Sequence, residues 1–384
     1  MSELATFGEQ GEQTPLGELQ VYTGTEFFRT LAEDLKAAGS NSRVAILTMA
    51  LEPSEPLVAN VLDELQQAAA RGTEITFGVD AYSFLVDDDH KTPGPLFAPL
   101  PFGQQVYRQR YEALNQLAKA PGAQAAILNK PEKLLSNPFR GRSHLKTAII
   151  DNKIYLGGPN FHKSERSDMV VGLEDPDVAD WLYGLSVNIV QAGNTQDVLG
   201  SQDVGWQLDN QTKVMVDAGR PGQSAIMQEA YKIIDDANEQ VYAAFQFLPS
   251  GMMARQLAAA HGRGANIRPF YNDPSKYNLA LGVHERLMRL RQRAALPENF
   301  FDFSLPRHAG ILHSKAIATE KAAIVGSHNY VDLGIKYGTP EIALVRRDPD
   351  FAKKVSSLLL EQACYIEPVA DELVEPGAIA AWQI

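Results

Sequence analysis

The alternation of apolar and polar positions repeats once along the chain. Val44 to Met49 is a short apolar run of the kind that forms a buried strand. Leu57 to Arg71 follows with helical periodicity and stops at Arg71-Gly72, and Ile75 to Val79 is a second strand closing at Asp80. The same series returns as Val241 to Phe247, then Met252 to His261 with the stop Arg263-Gly264, then Ile267 to Tyr271, closing at Asn272-Asp273. The elements before these also correspond: Leu19 to Tyr22 and Thr25 to Ala38 match Lys213 to Val216 and Gln223 to Ala237. Each half reads β-α-β-α-β, which predicts an α/β fold of two similar α-β-α halves, each a sheet flanked by helices.

The expected organisation is a flexible N-terminus over 1–14, halves over 15–195 and 211–370, a linker over 196–210 and a tail over 371–384. Gln191 to Gln211 is rich in Gly, Asn, Gln and Asp, as a surface linker would be. The first half carries extra material, placed around Thr92 to Phe102, where four prolines argue against regular structure. That segment reads either as a surface loop or as an apolar lid near a site.

Composition narrows the function classes. The chain has 384 residues, 45% of them hydrophobic, and a formal net charge of −12. Such a balance disfavours nucleic-acid backbones and anionic surfaces unless a local basic patch intervenes. Cys364 is the single cysteine, so no internal disulfide forms, and it reads as a small core residue. Met1 to Gln20 lacks the basic start and apolar run of a signal peptide, and no stretch reaches the length of a membrane span. The expected location is the cytoplasm, with peripheral membrane contact compatible with it.

The chemistry lies in a pair of matching segments, Arg142 to Asn160 and Ile311 to Asn329. His144 and Lys146 match His313 and Lys315; Asp151 matches Glu320; Gly157-Gly158 matches Gly326-Ser327; Asn160 matches Asn329. In both copies Asn stands sixteen positions after His, and an acid follows each, Asp168 and Glu341. The residues after each Lys read as a strand, in which His and Lys at i and i+2 would share a face. A turn at Asn152-Lys153 or Glu320-Lys321 would return the chain so that Asn160 and Asn329 lie beside their own His and Lys. A fold needs apolar spacing, not the same His, Lys and Asn twice, so the repetition points to one site shared by two halves. Two lysines and two amides suit the non-bridging oxygens of a phosphodiester. Two histidines suit a division between nucleophile and general acid-base, and Asp168 and Glu341 suit the orientation of an imidazole.

These residues resemble the phospholipase D superfamily, whose signature is H-x-K, an Asp five residues after the Lys, then G-[GS]-x-N. The bacterial cardiolipin synthase branch is most similar, with G-G-x-N and a following Asp in the first half, and G-S-x-N and a following Glu in the second. The resemblance implies a phosphohistidine intermediate, with the first-half histidine, His144, more often the attacker. It also implies cross-half pairing of Glu341 with His144 and Asp168 with His313, and no metal or cofactor. Glu320 stands where the second copy usually has Asp, in a position that supports a loop. The expected substrate is a phospholipid, hydrolysed or transferred; a metal-independent nuclease, another soluble-substrate phosphodiesterase and a non-catalytic scaffold are the alternatives. One chain holds both half-sites, so a monomer is expected. Apolar contact candidates are Leu96 to Phe102, Phe247 to Met253 and Phe300-Phe301. His162 and His328 either line the cleft or are exposed loop residues; Lys163, Ser164 and Arg166 are head-group candidates; His90, His261, His284 and His308 read as surface or structural.

Overall fold

The computed structural model describes residues 17–85, 104–130, 141–162, 168–273, 283, 286–290, 292, 304–305 and 311–364. The Thr92–Phe102 segment, Phe300-Phe301, Lys163, Ser164, Arg166, His90, His284, His308 and both terminal segments, 1–14 and 371–384, lie outside the described residues, as does the side chain of Cys364.

The first half contributes β1 (Gln20–Thr23), β2 (Arg43–Thr48), β3 (Glu74–Asp80), β4 (Ala123–Leu128), β5 (Thr147–Ile150), β6 (Lys153–Gly157) and β7 (Met169–Glu174). They form one sheet in the order β1-β7-β6-β5-β2-β3-β4. The second half contributes β8 (Val204–Gln207), β9 (Thr212–Asp217), β10 (Gln240–Phe245), β11 (Asn266–Asn272), β12 (Ser304–Leu305), β13 (Ala316–Thr319), β14 (Ala323–Gly326) and β15 (Glu341–Arg346). Their order, β12-β11-β10-β13-β14-β15-β9-β8, is the first order repeated with β8 added at one edge. In both sheets the β-α-β strands pair in parallel (β2 with β3, β10 with β11) and the hairpins that follow pair antiparallel.

Helices Gly24–Ala37 and Pro56–Ala70 cover the outer face of the first sheet around Phe28, Leu31, Val61 and Leu65. Helices Ala225–Asp235 and Gly251–Gly262 do the same in the second around Ile226, Ile233, Met253 and Leu257. A third core joins the halves. It gathers Leu145, Ile154, Leu156 and Val171 with Leu312, Ala323, Val325 and Leu344, and takes in helices Pro176–Ala192 and Pro349–Cys364. Sheets buried on both faces explain why β2 and β10 read as unbroken apolar runs rather than alternating ones.

The repeated Arg-Gly stops have a structural purpose. Gly72 and Gly264 take φ of +96° and +101°, closing each helix, and the preceding arginine turns back on a neighbouring helix end. Arg71 donates to the carbonyls of Ala38 and Leu35, and Arg263 to that of Ile234. A guanidinium there satisfies terminal carbonyls and opposes the negative end of the helix dipole.

The Gln191–Gln211 connection departs from the surface-linker expectation. It holds a short helix, Thr195–Leu199, capped by Asn194, and the edge strand β8. Leu199 and Val204 enter the shared core, and Asn129 bonds both the backbone and the hydroxyl of buried Thr195. The polar composition reflects caps and turns, which need Asn, Asp and Gly, rather than an unstructured tether.

Candidate active site

The sheets meet where each H-x-K segment enters its sheet. Neither His nor Lys lies within a strand, because β5 starts at Thr147 and β13 at Ala316, so the shared-face argument does not apply as expected. The intervening and preceding leucines set the segments instead. Leu145 and Leu312 are buried in the inter-half core, which fixes the backbone on either side of them. Each lysine ammonium curls back to donate to the carbonyl of its own histidine, Lys146 to His144 at 3.4 Å and Lys315 to His313.

The approach to each segment is braced from the neighbouring strand end. The Asp80 carboxylate accepts from Ser143 N–H at 2.7 Å and from Asn129, with Arg142 3.5 Å away. At the matching place Asn272 accepts from Leu312 N–H at 2.9 Å and donates to the Leu312 carbonyl at 2.8 Å. The sequence marked both positions only as strand ends. Their common work, holding the peptide just ahead of the histidine, was not legible from spacing.

The histidines pair across the halves. His144 Nδ1 lies 2.8 and 3.0 Å from the two carboxylate oxygens of Glu341, and His313 Nδ1 lies 2.8 and 3.1 Å from those of Asp168. These are the partners that the resemblance implied. Two further bonds tie the halves here: His144 N–H donates to the Pro340 carbonyl at 2.9 Å, and Gln362 donates to the Asp168 carbonyl at 2.8 Å.

The Gly-Gly and Gly-Ser pairs answer to their acids. A side chain at Gly158 would collide with the Asp168 carboxylate, and one at Gly157, which has φ +142°, with the Met169 carbonyl. In the second copy Ser327 takes the place of Gly158, and its hydroxyl donates to Glu341. Glu341 thus has a second donor that Asp168 does not receive from Gly158. Serine and Glu go together in one half, and glycine and Asp in the other, for a steric and a hydrogen-bonding reason.

Burial sets the electrostatics. His144, Lys146, His313, Lys315, Asp168 and Glu341 are all buried, Lys315 completely. Burial, then the ammonium groups of Lys146 and Lys315, pull the His144 pKa well below the usual histidine range; a backbone bond at Ser327 and the Asp168 charge oppose them. The imidazole is therefore neutral near pH 7. Its Nδ1–H faces Glu341, which leaves a lone pair on Nε2. Burial and then Lys315 also depress Lys146 strongly, against Glu341, Asp168 and Asp80. That the second-half lysine and the first-half carboxylate both act on His144 places the two trios in one field. Two desolvated ammonium groups that repel each other are costly, and a bound anion interacting with both would relieve that cost.

Asn160 and Asn329 are half-buried, and no His or Lys bonds either side chain. Each keeps a buried amide oxygen with no hydrogen-bond partner among the described residues. Such atoms are rare, and turning the amide over would offer N–H to an anionic ligand instead. Asp151 and Glu320 are not brought to the histidines. Both sit at the far hairpin turns, where Asp151 accepts from Arg43 N–H and Glu320 from Asn238, Glu239 and Gln240 N–H. His162 and His328, read as lining the cleft or exposed, are both buried. Within Phe247–Met253, Leu248 and Met253 are core residues. Among the described residues, no group of three or more His, Cys, Asp or Glu could hold a metal ion.

Asp217 was not singled out by sequence. It pairs with Glu341 across the β9–β15 ladder, and burial pushes its carboxyl from 3.8 up to about 6, opposed by Ser224 and Gly219 donors. A folded-state value above the unfolded one makes the ionised form a liability. The penalty is absent below about pH 4, grows as pH rises through 6, and is on the order of 3 kcal/mol above that. Asp217→Asn is expected to stabilise the protein by up to that amount at pH 7.5 and to give no gain at pH 4. Denaturant melts at the two pH values check this, and equal effects at both would refute it.

Residues 231–361 match the family described as "Cardiolipin synthase, PLD-like domain". No curated protein matches the chain in sequence. In fold, the chain is similar to phosphatidylserine synthase of Haemophilus influenzae Rd KW20, with a TM-score of 0.62 and 13% identity over 95% of this chain and 89% of that one. It is also similar to polyphosphate kinase of Porphyromonas gingivalis, with a TM-score of 0.52 and 13% identity over 95% of this chain and 54% of that one. Residues 231–361 thus match a phospholipase D-like domain of the cardiolipin synthase kind, and the chain as a whole shares the fold of the phosphatidylserine synthase structure.

Proposed function

We propose that the protein cleaves or transfers phosphodiesters through a phosphohistidine, with phospholipids as its substrates. The carrying observation is the pair of histidine–carboxylate bonds made across the halves beside two buried lysines. In this reading His144 Nε2 attacks phosphorus, and the bond to the leaving oxygen breaks as His313 gives that oxygen a proton. The phosphoryl group is then carried on His144. His313 next takes a proton from water or an alcohol, which attacks phosphorus and expels the imidazole. Lys146, Lys315, Asn160 and Asn329 hold the non-bridging oxygens, and their charge and N–H groups meet the growing negative charge. All roles fall on side chains, so turnover of bis-p-nitrophenyl phosphate is expected to persist in EDTA. Strict dependence on added divalent metal would remove this mechanism.

Two observations support a lipid over a nucleic acid. One is the cardiolipin synthase description of the matched domain. The other is an exposed apolar stripe. Val283, Leu287 and Leu290 are 44%, 61% and 65% exposed, at a spacing that shares one helical face, next to exposed Arg286. Arg289 pairs at 3.5 Å with Asp273, the residue after the Asn272 that braces Leu312 and hence His313. Phosphatidylglycerol vesicles are expected to bind the protein and to be turned over, while single-stranded DNA is not cut. Leu287→Ser with Leu290→Ser should weaken vesicle binding about tenfold, the loss of roughly 1.4 kcal/mol of apolar burial, and spare the soluble ester. Cleavage of DNA with no action on vesicles would favour the nuclease reading.

A further inference from the structure

The variable position of the second G-S-x-N segment is His328, where the first half has Pro159. Its side chain is 4% exposed. Nδ1 accepts a hydrogen bond from Tyr330 N–H at 2.8 Å. To present that N–H, Tyr330 adopts φ +54°, a left-handed conformation unfavourable for a residue with a large side chain. The two rings also pack with centroids 5.2 Å apart.

An imidazole whose Nδ1 is an acceptor carries its proton on Nε2. His328 Nε2–H meets no acceptor among the described residues, yet it is not among the sealed, unsatisfied polar atoms of the interior, so it reaches solvent-accessible space. The ring lies close enough to Glu341 and His144 to interact with both electrostatically, and burial holds its pKa below the usual histidine range. Gaining a second proton on Nδ1 would break the Tyr330 bond, so the ring is held as a one-proton donor.

We propose that His328 is a third imidazole of the active site, a substrate-binding residue whose Nε2–H donates to an oxygen of the bound phosphodiester on the His144 side. This rests on the phosphodiester reading above. It adds to the asymmetry of the site and gives it a direction. One side of the substrate meets an added donor, and the matching position on the other side is a proline ring with none.

Two variants separate this role from a structural one. In His328→Asn the amide oxygen replaces Nδ1 and keeps the Tyr330 acceptor while the far donor is lost. In His328→Gln the amide nitrogen reaches the Nε2 position and restores the donor. His328→Asn is expected to retain the wild-type melting temperature but to lose about ten- to hundredfold in kcat/KM on bis-p-nitrophenyl phosphate, and His328→Gln to recover most of it. Binding of inorganic phosphate, measured calorimetrically, should weaken about tenfold in the Asn variant alone. The phosphate measurement stands without turnover. A wild type that binds phosphate through His328 but turns over no ester would fail the functional reading and keep this one. Unchanged kcat/KM and phosphate affinity in His328→Asn, or a Gln variant as impaired as Asn, would overturn the proposal.

Discussion

His144→Ala and His313→Ala should each lower kcat on a phospholipid diester by at least about 10⁴-fold, and the double variant should be hardly worse than either. Non-additivity follows because neither histidine is useful alone. Without the nucleophile no covalent intermediate forms, and without the acid the alkoxide does not leave. The two losses are distinguishable on bis-p-nitrophenyl phosphate, whose leaving group departs without a proton. His313→Ala should still release a burst of p-nitrophenol equal to the enzyme present and then stall, since nothing activates the acceptor. His144→Ala should give no burst. Thermal melts of both variants separate lost chemistry from lost fold, since both side chains are buried. Full activity in either variant would contradict a shared site.

The second large effect concerns the carboxylates. Glu341→Gln is expected to cost on the order of 10³-fold in kcat, comparable to the loss when a triad carboxylate becomes an amide. The amide N–H would face His144 Nδ1, which now bonds Glu341 at 2.8 Å, and would favour the tautomer with its proton on Nε2. The attacking lone pair is then gone although the packing is intact. Asp168→Asn should impair His313 by the same route. The pH dependence follows from the His144 shift. Burial and the two lysines depress its pKa below 6.5, and the neutral ring is the attacking form, so activity rises with pH through a value below 6.5. A kcat/KM profile on the soluble ester reads this directly, and an acid limb centred above 6.5 would show that His144 is not the depressed base.

Much of this was legible in the sequence, and the part that was not has a common cause. The doubled strand-helix-strand pattern was recoverable because burial on both faces writes itself as apolar runs bounded by Arg-Gly stops. The candidate His, Lys and Asn stood out because they repeat. Periodicity does not report contacts between distant segments. Asp168 and Glu341 follow their asparagines at different distances, eight and twelve positions, and their cross-half pairing came from resemblance alone. The bracing by Asp80 and Asn272 joins strand ends to loops 40 or more positions away. The order in the Gln191–Gln211 connection was hidden because capping and turn residues have the same composition as a tether. The hydrogen bond that orients His328 comes from a left-handed Tyr330, which no propensity suggests.

A rapid-quench experiment with ³²P-labelled bis-p-nitrophenyl phosphate, followed by peptide mapping, puts the central claim to its most direct test. Two halves making one site with His144 as the carrier predict an acid-labile, base-stable label on the peptide containing His144, accumulating in the His313→Ala protein. Label on His313 would exchange the two roles; label on neither histidine during productive turnover would contradict the account.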